Sequence, residues 1–181
     1  MIKPWKVIKT KVEAQNRLFS LKTKLSQSPR TGREFPFYIL EAGAWVNIIP
    51  LTVENRVLLV RQYRHGTEEI TLEIPGGLVE DGQTPEEAAA RELLEETGFK
   101  SRNGLILLGR VRPNPAFMNN WCYSYLARDV FRVNDGDPDE AEDLELVSVE
   151  LSEIPGLIKS GAIDHSLVLS AFFHYYNSEG R

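Results

Sequence analysis

The chain has 181 residues, of which 42% are hydrophobic and 26% charged, as expected for a globular protein with one well-packed core and a small extension. Its net charge of −5 argues against an extended basic face for nucleic acid but is compatible with small phosphorylated ligands. The charged N-terminus lacks the apolar core of a signal peptide, and no stretch approaches the roughly 20 apolar residues that cross a bilayer. We therefore expect a cytoplasmic protein that binds neither nucleic acid nor a membrane.

The N-terminal part is expected to be rich in strands. Residues 5–12 have an extended pattern, and residues 19–25 alternate between apolar and polar side chains. The stretch 26–33 (SQSPRTGR) carries the proline, glycine and serines of a loop, and we expect it to separate this hairpin from the main domain. We accordingly divide the chain into an N-terminal strand-rich extension, residues 1–40, and a main domain, residues 41–181.

The main domain is expected to contain more strands than helices, with the helices well separated. Strands are predicted at 37–41, 46–51, 56–62, 70–74, 105–111, 121–128 and 144–150, and helices at 85–97, 152–159 and 164–176. This order predicts an α+β fold with a mixed β-sheet flanked by helices. The single cysteine, Cys122, excludes an internal disulfide, and its aromatic neighbours favour a buried, inert thiol.

The strongest local signal is the helix from Pro85 to Thr97. Thr84 is a favourable N-cap, Glu87 three residues later completes a capping box, and Gly98 supplies the C-terminal stop. Proline is also well tolerated at the first helical position. The local sequence therefore predicts both ends of this helix.

Three glutamates, Glu92, Glu95 and Glu96, share one face of this helix with Ala88, opposite an apolar arc of Ala90, Leu93 and Leu94. They repel one another, and two of them lie at the helix C-terminus, where the macrodipole disfavours anions. A Mg²⁺ ion would offset this repulsion because it prefers carboxylate oxygens. The alternative is a solvated acidic face in which Arg91 pairs with Glu95.

Residues 76–99 (GGLVEDGQTPEEAAARELLEETGF) resemble the Nudix box: Gly, five residues, Glu, seven residues, Arg-Glu-apolar, one residue, Glu-Glu, one residue, Gly-apolar. Every fixed position matches except the first Glu, which is Gln83 here. The resemblance implies an α/β/α sandwich and hydrolysis of a nucleoside diphosphate linked to another moiety. It also implies Mg²⁺, with Mn²⁺ as a substitute. No metal ligand is expected at Gln83, because an amide contributes no charge.

Carried over residue by residue, the resemblance makes Glu92 and Glu96 the main metal ligands, with Glu95 beside them. The backbone carbonyl of Gly76 occupies a place that ligates the metal in related enzymes. Arg91 is expected to orient the catalytic face. Hydrolysis then proceeds by attack of water, without a covalent nucleophile.

The flanking segments VRQYRHG and LEIPGG resemble the ADP-ribose pyrophosphatase branch and its nucleoside-diphosphate-sugar relatives, and this likeness extends over residues 35–150. It implies a nucleotide sugar as substrate, such as ADP-ribose, and a homodimer built with the N-terminal extension. Arg64, at a strand end, is a candidate for gripping the diphosphate, with a surface arginine as the alternative. Glu73 is a second candidate for the metal or substrate site.

Other substrate contacts are assigned to aromatic and loop residues. Trp45 and Tyr63 are candidates for stacking on the base, with a place in the core as the alternative. Met118 belongs to the proline-rich loop 112–120, which resembles the segment that faces the sugar in these enzymes. His165 and His174 are assigned no chemistry.

The acidic stretch 134–143 (NDGDPDEAED) is either a solvated turn or the loop that supplies a catalytic glutamate in this branch. The local order matches the branch at Glu140 and Glu142. Glu142 aligns best as the metal-proximal residue, and Glu140 is the alternative general base. Two other functions remain open: a non-catalytic nucleotide-sensing Nudix module, favoured by Gln83 alone, and a Nudix enzyme that sanitises nucleoside triphosphates, which leaves the N-terminal extension unexplained.

Overall fold

A computed structural model of the chain describes residues 1–138 and 143–179. The chain folds into two compact units, of which the first combines residues 1–43 with residues 112–121 and the second takes the rest. Within the described stretches, no helix is both long enough and apolar enough to cross a bilayer.

The first unit contains a three-stranded antiparallel sheet in the order β1-β2-β3. The strands are β1 (Lys6–Gln15), β2 (Phe19–Gln27) and β3 (Glu34–Ala42). The strands β2 and β3 pair along their whole length. Contrary to expectation, the loop after β2 does not separate a hairpin from the main domain, because it joins two neighbouring strands of one sheet.

Residues 112–121 pack on the end of β3 within the same unit. The amide of Leu40 donates to the carbonyl of Phe117 at 2.8 Å, and Leu40 forms an isolated parallel bridge with Met118. The side chain of Asn119 donates to Glu41 Oε1 at 3.2 Å. These bonds hold the proline-rich segment in a defined conformation, although it does not belong to a long strand.

The second unit is built on a mixed sheet in the order β12-β5-β4-β10-β9, with β6 added to β5 and β7 added to β4. Only the β4–β10 pair is parallel among the described strands. The strands are β4 (Trp45–Leu51), β5 (Arg56–Arg64), β6 (Glu69–Glu73), β7 (Gly76–Leu78), β9 (Leu105–Val111), β10 (Cys122–Arg128) and β12 (Leu144–Glu150). A separate two-stranded ribbon pairs β8 (Phe99–Ser101) with β11 (Val130–Arg132).

The helices of the second unit are α1 (Pro85–Thr97), α2 (Ile154–Ser160) and α3 (Ser166–Glu179). A short 3₁₀ helix, Leu151–Glu153, precedes α2, so the helix expected from residue 152 begins two residues later. Pro155 lies in the first turn of α2, where its missing N–H group costs no hydrogen bond.

The sheet of the second unit is buried on both faces, which gives the predicted α/β/α sandwich. Alternate side chains along each strand point to opposite faces. One core cluster packs α1 against the sheet: Val46, Ile48, Leu58, Ala88, Ala89, Leu93, Tyr125, Ala127 and Val130. The other packs α2 and α3 against the opposite face: Ile49, Leu51, Val57, Leu59, Ile74, Leu126, Ile154, Ile163, Val168, Ala171, Phe172 and Tyr175. Cys122 is buried, as predicted, and this burial raises the pKa of its thiol to about 12.

Both ends of α1 are fixed by the residues that the sequence indicated. Thr84 Oγ1 accepts from the amide of Glu87 at 3.2 Å, and the Glu87 carboxylate accepts from the amide of Thr84 at 2.8 Å. Gly98 ends the helix in the left-handed conformation, with φ 76°. Its carbonyl accepts from the amide of Val133 at 2.8 Å, so the helix end also anchors the segment after β11.

Replacing Gly98 by alanine should destabilise the protein more than the same change at Gly161. Both glycines end a helix with nearly the same left-handed conformation, φ 76° and 78°, which costs a non-glycine residue roughly 1–2 kcal/mol. A Cβ at Gly98 would overlap the carbonyl oxygen of Asn134, whereas Gly161 faces open space. We expect Gly98→Ala to lower the free energy of unfolding in urea by about 1–3 kcal/mol more than Gly161→Ala. Equal losses in the two variants would contradict this packing.

Candidate active site

The glycine turn of β7 lies directly against the acidic helix. Gly76 pairs with Asn47 of β4, and its amide donates to Glu96 Oε2 at 3.0 Å. A Cβ at Gly76 would overlap the carbonyl oxygen of Val46, and a Cβ at Gly77 would overlap the Glu92 carboxylate. Two adjacent glycines are therefore required by the close approach of this turn to its neighbours.

The carboxylates of Glu92 and Glu96 lie on the buried side of α1, each residue being 7% exposed. Ala90, which was expected on the apolar arc, is exposed, and the buried side of the helix is shifted towards the glutamates. The buried residues of α1 are Ala88, Ala89, Glu92, Leu93, Glu96 and Thr97. Glu92 and Glu96 therefore do not form a solvated acidic face. Of the three glutamates, Glu95 has the exposed side chain, at 39%.

Arg91 connects the glutamates to the glycine turn. Its Nη1 donates to Glu95 Oε2 at 2.6 Å, and its Nη2 donates to Glu92 Oε1 at 2.8 Å and to the carbonyl of Leu78 at 3.1 Å. The predicted pair of Arg91 with Glu95 is therefore present, but the same guanidinium also binds the buried Glu92. One cation thus reduces the repulsion between two carboxylates and fixes them relative to β7.

Gln83, which departs from the box, lies in the loop before α1. Its side-chain Oε1 accepts from the backbone amide of Glu80 at 3.4 Å, and its backbone amide donates to the carbonyl of Glu80 at 3.1 Å. A neutral side-chain amide is sufficient for the first bond, and the second does not involve the side chain. The geometry therefore gives Gln83 a role in closing the loop that needs no charge.

The oxygen atoms around the glycine turn are suitable ligands for a hard divalent cation. Glu92 and Glu96 supply anionic oxygens, and Gly76 supplies a carbonyl, the groups that Mg²⁺ prefers. In residues 1–138 and 143–179, no three histidine, cysteine, aspartate or glutamate side chains are already clustered as a metal site. The carboxylates instead bind Arg91 and the amide of Gly76. Because Gly77 has no side chain, the Glu92 carboxylate oxygens can lie directly against the backbone of the turn.

A second cluster surrounds the carboxylate of Glu73, whose side chain is only 3% exposed. Arg64 donates to both of its oxygens, each at 2.8 Å, and Thr71 Oγ1 donates at 2.6 Å. His165 Nδ1 lies 2.9 Å from Glu73 Oε2. Burial alone would raise the pKa of Glu73, but the hydrogen bonds from Arg64 and Thr71 and the contact with His165 outweigh it and hold that pKa far below its ordinary value.

The fold joins residues of this cluster that the sequence analysis treated separately. Arg64 and Glu73 were each expected near the substrate, and they form a bidentate pair. His165 was assigned no chemistry, yet it contacts the same carboxylate. No periodicity or motif links positions 73 and 165, so this contact appears only once α3 is placed on the sheet. His174 is elsewhere on α3, and its ring packs against Gly109 of β9.

Three of the remaining predicted residues lie in the described part of the chain. Trp45 is half-buried at the start of β4, paired in register with Leu78 on one side and Cys122 on the other. Tyr63 is 47% exposed, and Met118 belongs to the first unit. Glu140 and Glu142 lie outside the described residues.

Comparison with known proteins identifies the family. Residues 43–171 match the model of the NUDIX domain. The chain is 30% identical over 167 residues to a protein named methanol dehydrogenase activator from Bacillus methanolicus, covering 92% of this chain and 89% of that protein. It is 31% identical over 128 residues to the ADP compounds hydrolase NudE of Escherichia coli (strain K12), covering 71% and 67% of the two chains.

Two further matches agree with this assignment. The ADP-ribose pyrophosphatase of Bacillus subtilis (strain 168) is 31% identical over 116 residues, covering 64% of this chain and 62% of the relative. A crystal structure of an ADP compounds hydrolase has a TM-score of 0.85 with 25% identity, covering 98% of this chain and 95% of that one. The glycine turn and the carboxylates of α1 therefore lie in a Nudix fold, and the chain belongs to the Nudix hydrolase family, related to the ADP-ribose pyrophosphatases.

Proposed function

We propose that the protein hydrolyses the diphosphate bond of a nucleoside diphosphate sugar, such as ADP-ribose, in the presence of Mg²⁺. The products are a nucleoside monophosphate and a sugar phosphate. The observation that carries this proposal is the burial of the Glu92 and Glu96 carboxylates against the Gly76–Gly77 turn. The names of the relatives, an ADP-ribose pyrophosphatase and an ADP compounds hydrolase, support the substrate class.

The residues proposed to hold the metal are Glu92, Glu96 and the carbonyl of Gly76, with Glu95 beside them. When bound, Mg²⁺ or Mn²⁺ neutralises charge on the diphosphate and lowers the pKa of the attacking water. Arg91 orients this face because it binds Glu92, Glu95 and the backbone of β7 at once. A cation beside these carboxylates also offsets the cost of keeping them buried.

Arg64 is proposed to bind the diphosphate. Its guanidinium is held by Glu73 on one edge, while 43% of the side chain stays accessible. A planar cation fixed in this way binds phosphate oxygens without first losing side-chain entropy. Trp45 is proposed to stack on the base and Met118 to contact the sugar end of the substrate.

Glu142 is proposed to accept the proton of the attacking water, with Glu140 as the alternative. The described residues that flank this segment support the proposal. The amide of Asp137 donates to the carbonyl of Glu95 in the last turn of α1, at 2.8 Å. On the other side, Leu144 begins β12 and pairs with Gln62 of β5. Both flanks are thus anchored on elements of the proposed site.

A non-catalytic nucleotide-sensing protein is the competing function, and Gln83 is the observation that favours it. Gln83 bonds locally in the loop before α1, and the helix carboxylates still lie against the glycine turn. This arrangement favours hydrolysis. Calorimetric binding of ADP-ribose without turnover at any Mg²⁺ or Mn²⁺ concentration would favour the sensing function instead.

Replacing Glu96 by glutamine should abolish most of the activity. We expect Mg²⁺-dependent release of AMP from ADP-ribose to fall at least about 100-fold, because second-sphere changes alone cost 10–100-fold and this change removes a proposed ligand. Chelation by EDTA should have the same effect on the wild-type protein. Product release can be followed by chromatography.

The matched control for Glu96→Gln is Glu86→Gln, which removes a carboxylate from the exposed first turn of the same helix. This control should keep wild-type turnover. If Glu96→Gln folds and retains wild-type turnover, the metal assignment is wrong.

Replacing Arg64 by lysine should raise the KM for ADP-ribose about tenfold, because lysine keeps the charge but loses the planar fork. Arg61→Lys is the control, since Arg61 lies three residues earlier on the same strand and forms an exposed ion pair with Glu145. Steady-state kinetics of both variants would test this role. A KM that rises equally in the two variants would assign the effect to general charge and not to Arg64.

We also propose that the protein is a homodimer whose contact includes the N-terminal unit, as expected for residues 1–40. On this unit Trp5, Phe35 and Phe37 are each more than 40% exposed and pack edge to face, and exposed apolar groups of this kind mark interaction surfaces. The unit carries ten basic and three acidic side chains, a formal charge of +7, against −12 for the rest of the chain. Opposite charges of this size favour association between copies.

Phe37→Asp should shift the protein from dimer to monomer in sedimentation equilibrium, because it places a charge in the apolar patch. Val53→Asp is the control, since Val53 is 64% exposed in a turn of the second unit. An unchanged mass for Phe37→Asp would contradict the proposed contact.

A further inference from the structure

The carboxylate of Glu73 is enclosed by donors on both of its oxygens. Oε1 accepts from Arg64 Nε at 2.8 Å and from Thr71 Oγ1 at 2.6 Å. Oε2 accepts from Arg64 Nη2 at 2.8 Å and lies 2.9 Å from His165 Nδ1. A carboxylate oxygen has two lone-pair directions, so Oε1 is matched with two hydrogen-bond donors, and Oε2 with one donor and the close contact to the buried Nδ1 of His165.

His165 is the one described partner of this carboxylate that comes from outside the β5–β6 hairpin. Arg64 and Thr71 belong to the same hairpin as Glu73 and move with it. Without His165, the contacts given above leave Oε2 bound to Arg64 alone, and the plane of the carboxylate is set by one side only. A bidentate pair requires the carboxylate and guanidinium to be coplanar, so a change in the carboxylate plane is passed to Arg64.

The main chain at His165 is itself held firmly. The carbonyl of His165 accepts from the amide of Leu169 in the first turn of α3, at 3.0 Å. The next carbonyl but one, that of Leu167, accepts from the buried side chain of Asn47 at 3.0 Å. Asn47 pairs with Gly76 in the β4–β7 register. The start of α3 is thereby tied to β4, the strand that pairs with the glycine turn.

The cluster consists of one buried anion and two side chains that are partly exposed to solvent. Glu73 is 3% exposed in its side chain, whereas those of Arg64 and His165 are 43% and 39% exposed. Glu73 is too deeply buried to meet a substrate directly and acts through its partners. We infer that His165 is a positioning residue that, through Glu73, fixes the plane of the Arg64 guanidinium for diphosphate binding, an inference that rests on the proposed function.

The test compares His165→Ala with His165→Asn in ADP-ribose hydrolysis. Asparagine places an amide nitrogen where Nδ1 lies, so it restores the donor without the ring. We expect His165→Ala to raise KM about tenfold, the usual scale for losing a polar contact to a charged group, with kcat within about twofold of wild type. His165→Asn should return KM to within about threefold of wild type. A KM unaffected by His165→Ala would overturn the inference.

Two further variants distinguish positioning from a general effect on folding. His165→Phe keeps the ring volume but removes the donor, so it should match His165→Ala and decides the question if the alanine variant does not fold. Ser170→Ala changes another residue of α3, whose hydroxyl bonds Ser166, and should leave KM unchanged. Equal KM values for His165→Phe and wild type would overturn the inference.

The route through Glu73 is tested by a double-mutant cycle. In a Glu73→Gln background, His165→Ala should add less than about twofold to KM, because residues that act through one another are not additive. A full tenfold increase in both backgrounds would overturn the route. Calorimetry with ADP-ribose in EDTA provides a readout without turnover, and His165→Ala should weaken binding there as well.

The outcomes separate this inference from the proposed function. If the wild-type protein hydrolyses ADP-ribose and His165→Ala has wild-type kinetics, the inference alone fails. If the wild-type protein neither binds nor hydrolyses ADP-ribose, both fail.

Discussion

The contact on which the site depends is the approach of two buried glutamates to a glycine turn. Removing a carboxylate from water is costly unless hydrogen bonds or opposite charge replace its hydration. Glu96 receives the amide of Gly76, and Glu92 lies against Gly77 with Arg91 bound to it. A side chain at Gly77 would displace the Glu92 carboxylate, and one at Gly76 would separate the turn from β4. The two glycines and the three charged positions of α1 therefore depend on each other.

The rest of the second unit holds this contact in place from both sides of the sheet. The turn is part of β7, which pairs with β4, and α1 packs on one face of β4 through Val46 and Ile48. On the opposite face, Asn47 bonds the backbone at the start of α3. Because β4 is central and buried, a single strand connects the acidic helix, the glycine turn and the start of α3, which directly follows His165.

Features encoded by neighbouring residues were predictable from the sequence, and features created by tertiary packing were not. The ends of α1 follow from Thr84, Glu87 and Gly98, because capping involves only nearby backbone groups. The direction of its buried side was misjudged at Ala90, because the apolar pattern placed the buried arc opposite the glutamates and the approach of the glycine turn explains their burial. The short strands β7, β8 and β11 span three residues each, too few for a period to be recognised.

The carboxylate of Glu73 and the carboxylates of α1 have different surroundings. This difference bears on whether Glu73 belongs to the metal site or to the substrate site. Both of its oxygens accept hydrogen bonds from Arg64 or Thr71, and His165 lies against one of them, so a cation could bind there only after displacing these groups. At α1, one guanidinium is shared between Glu92 and Glu95, and a divalent ion would bring more charge than the arginine supplies. A carboxylate whose pKa is held far down by fixed donors is suited to orienting a neighbouring cation. The geometry therefore favours Glu73 as a support for Arg64 over Glu73 as a metal ligand.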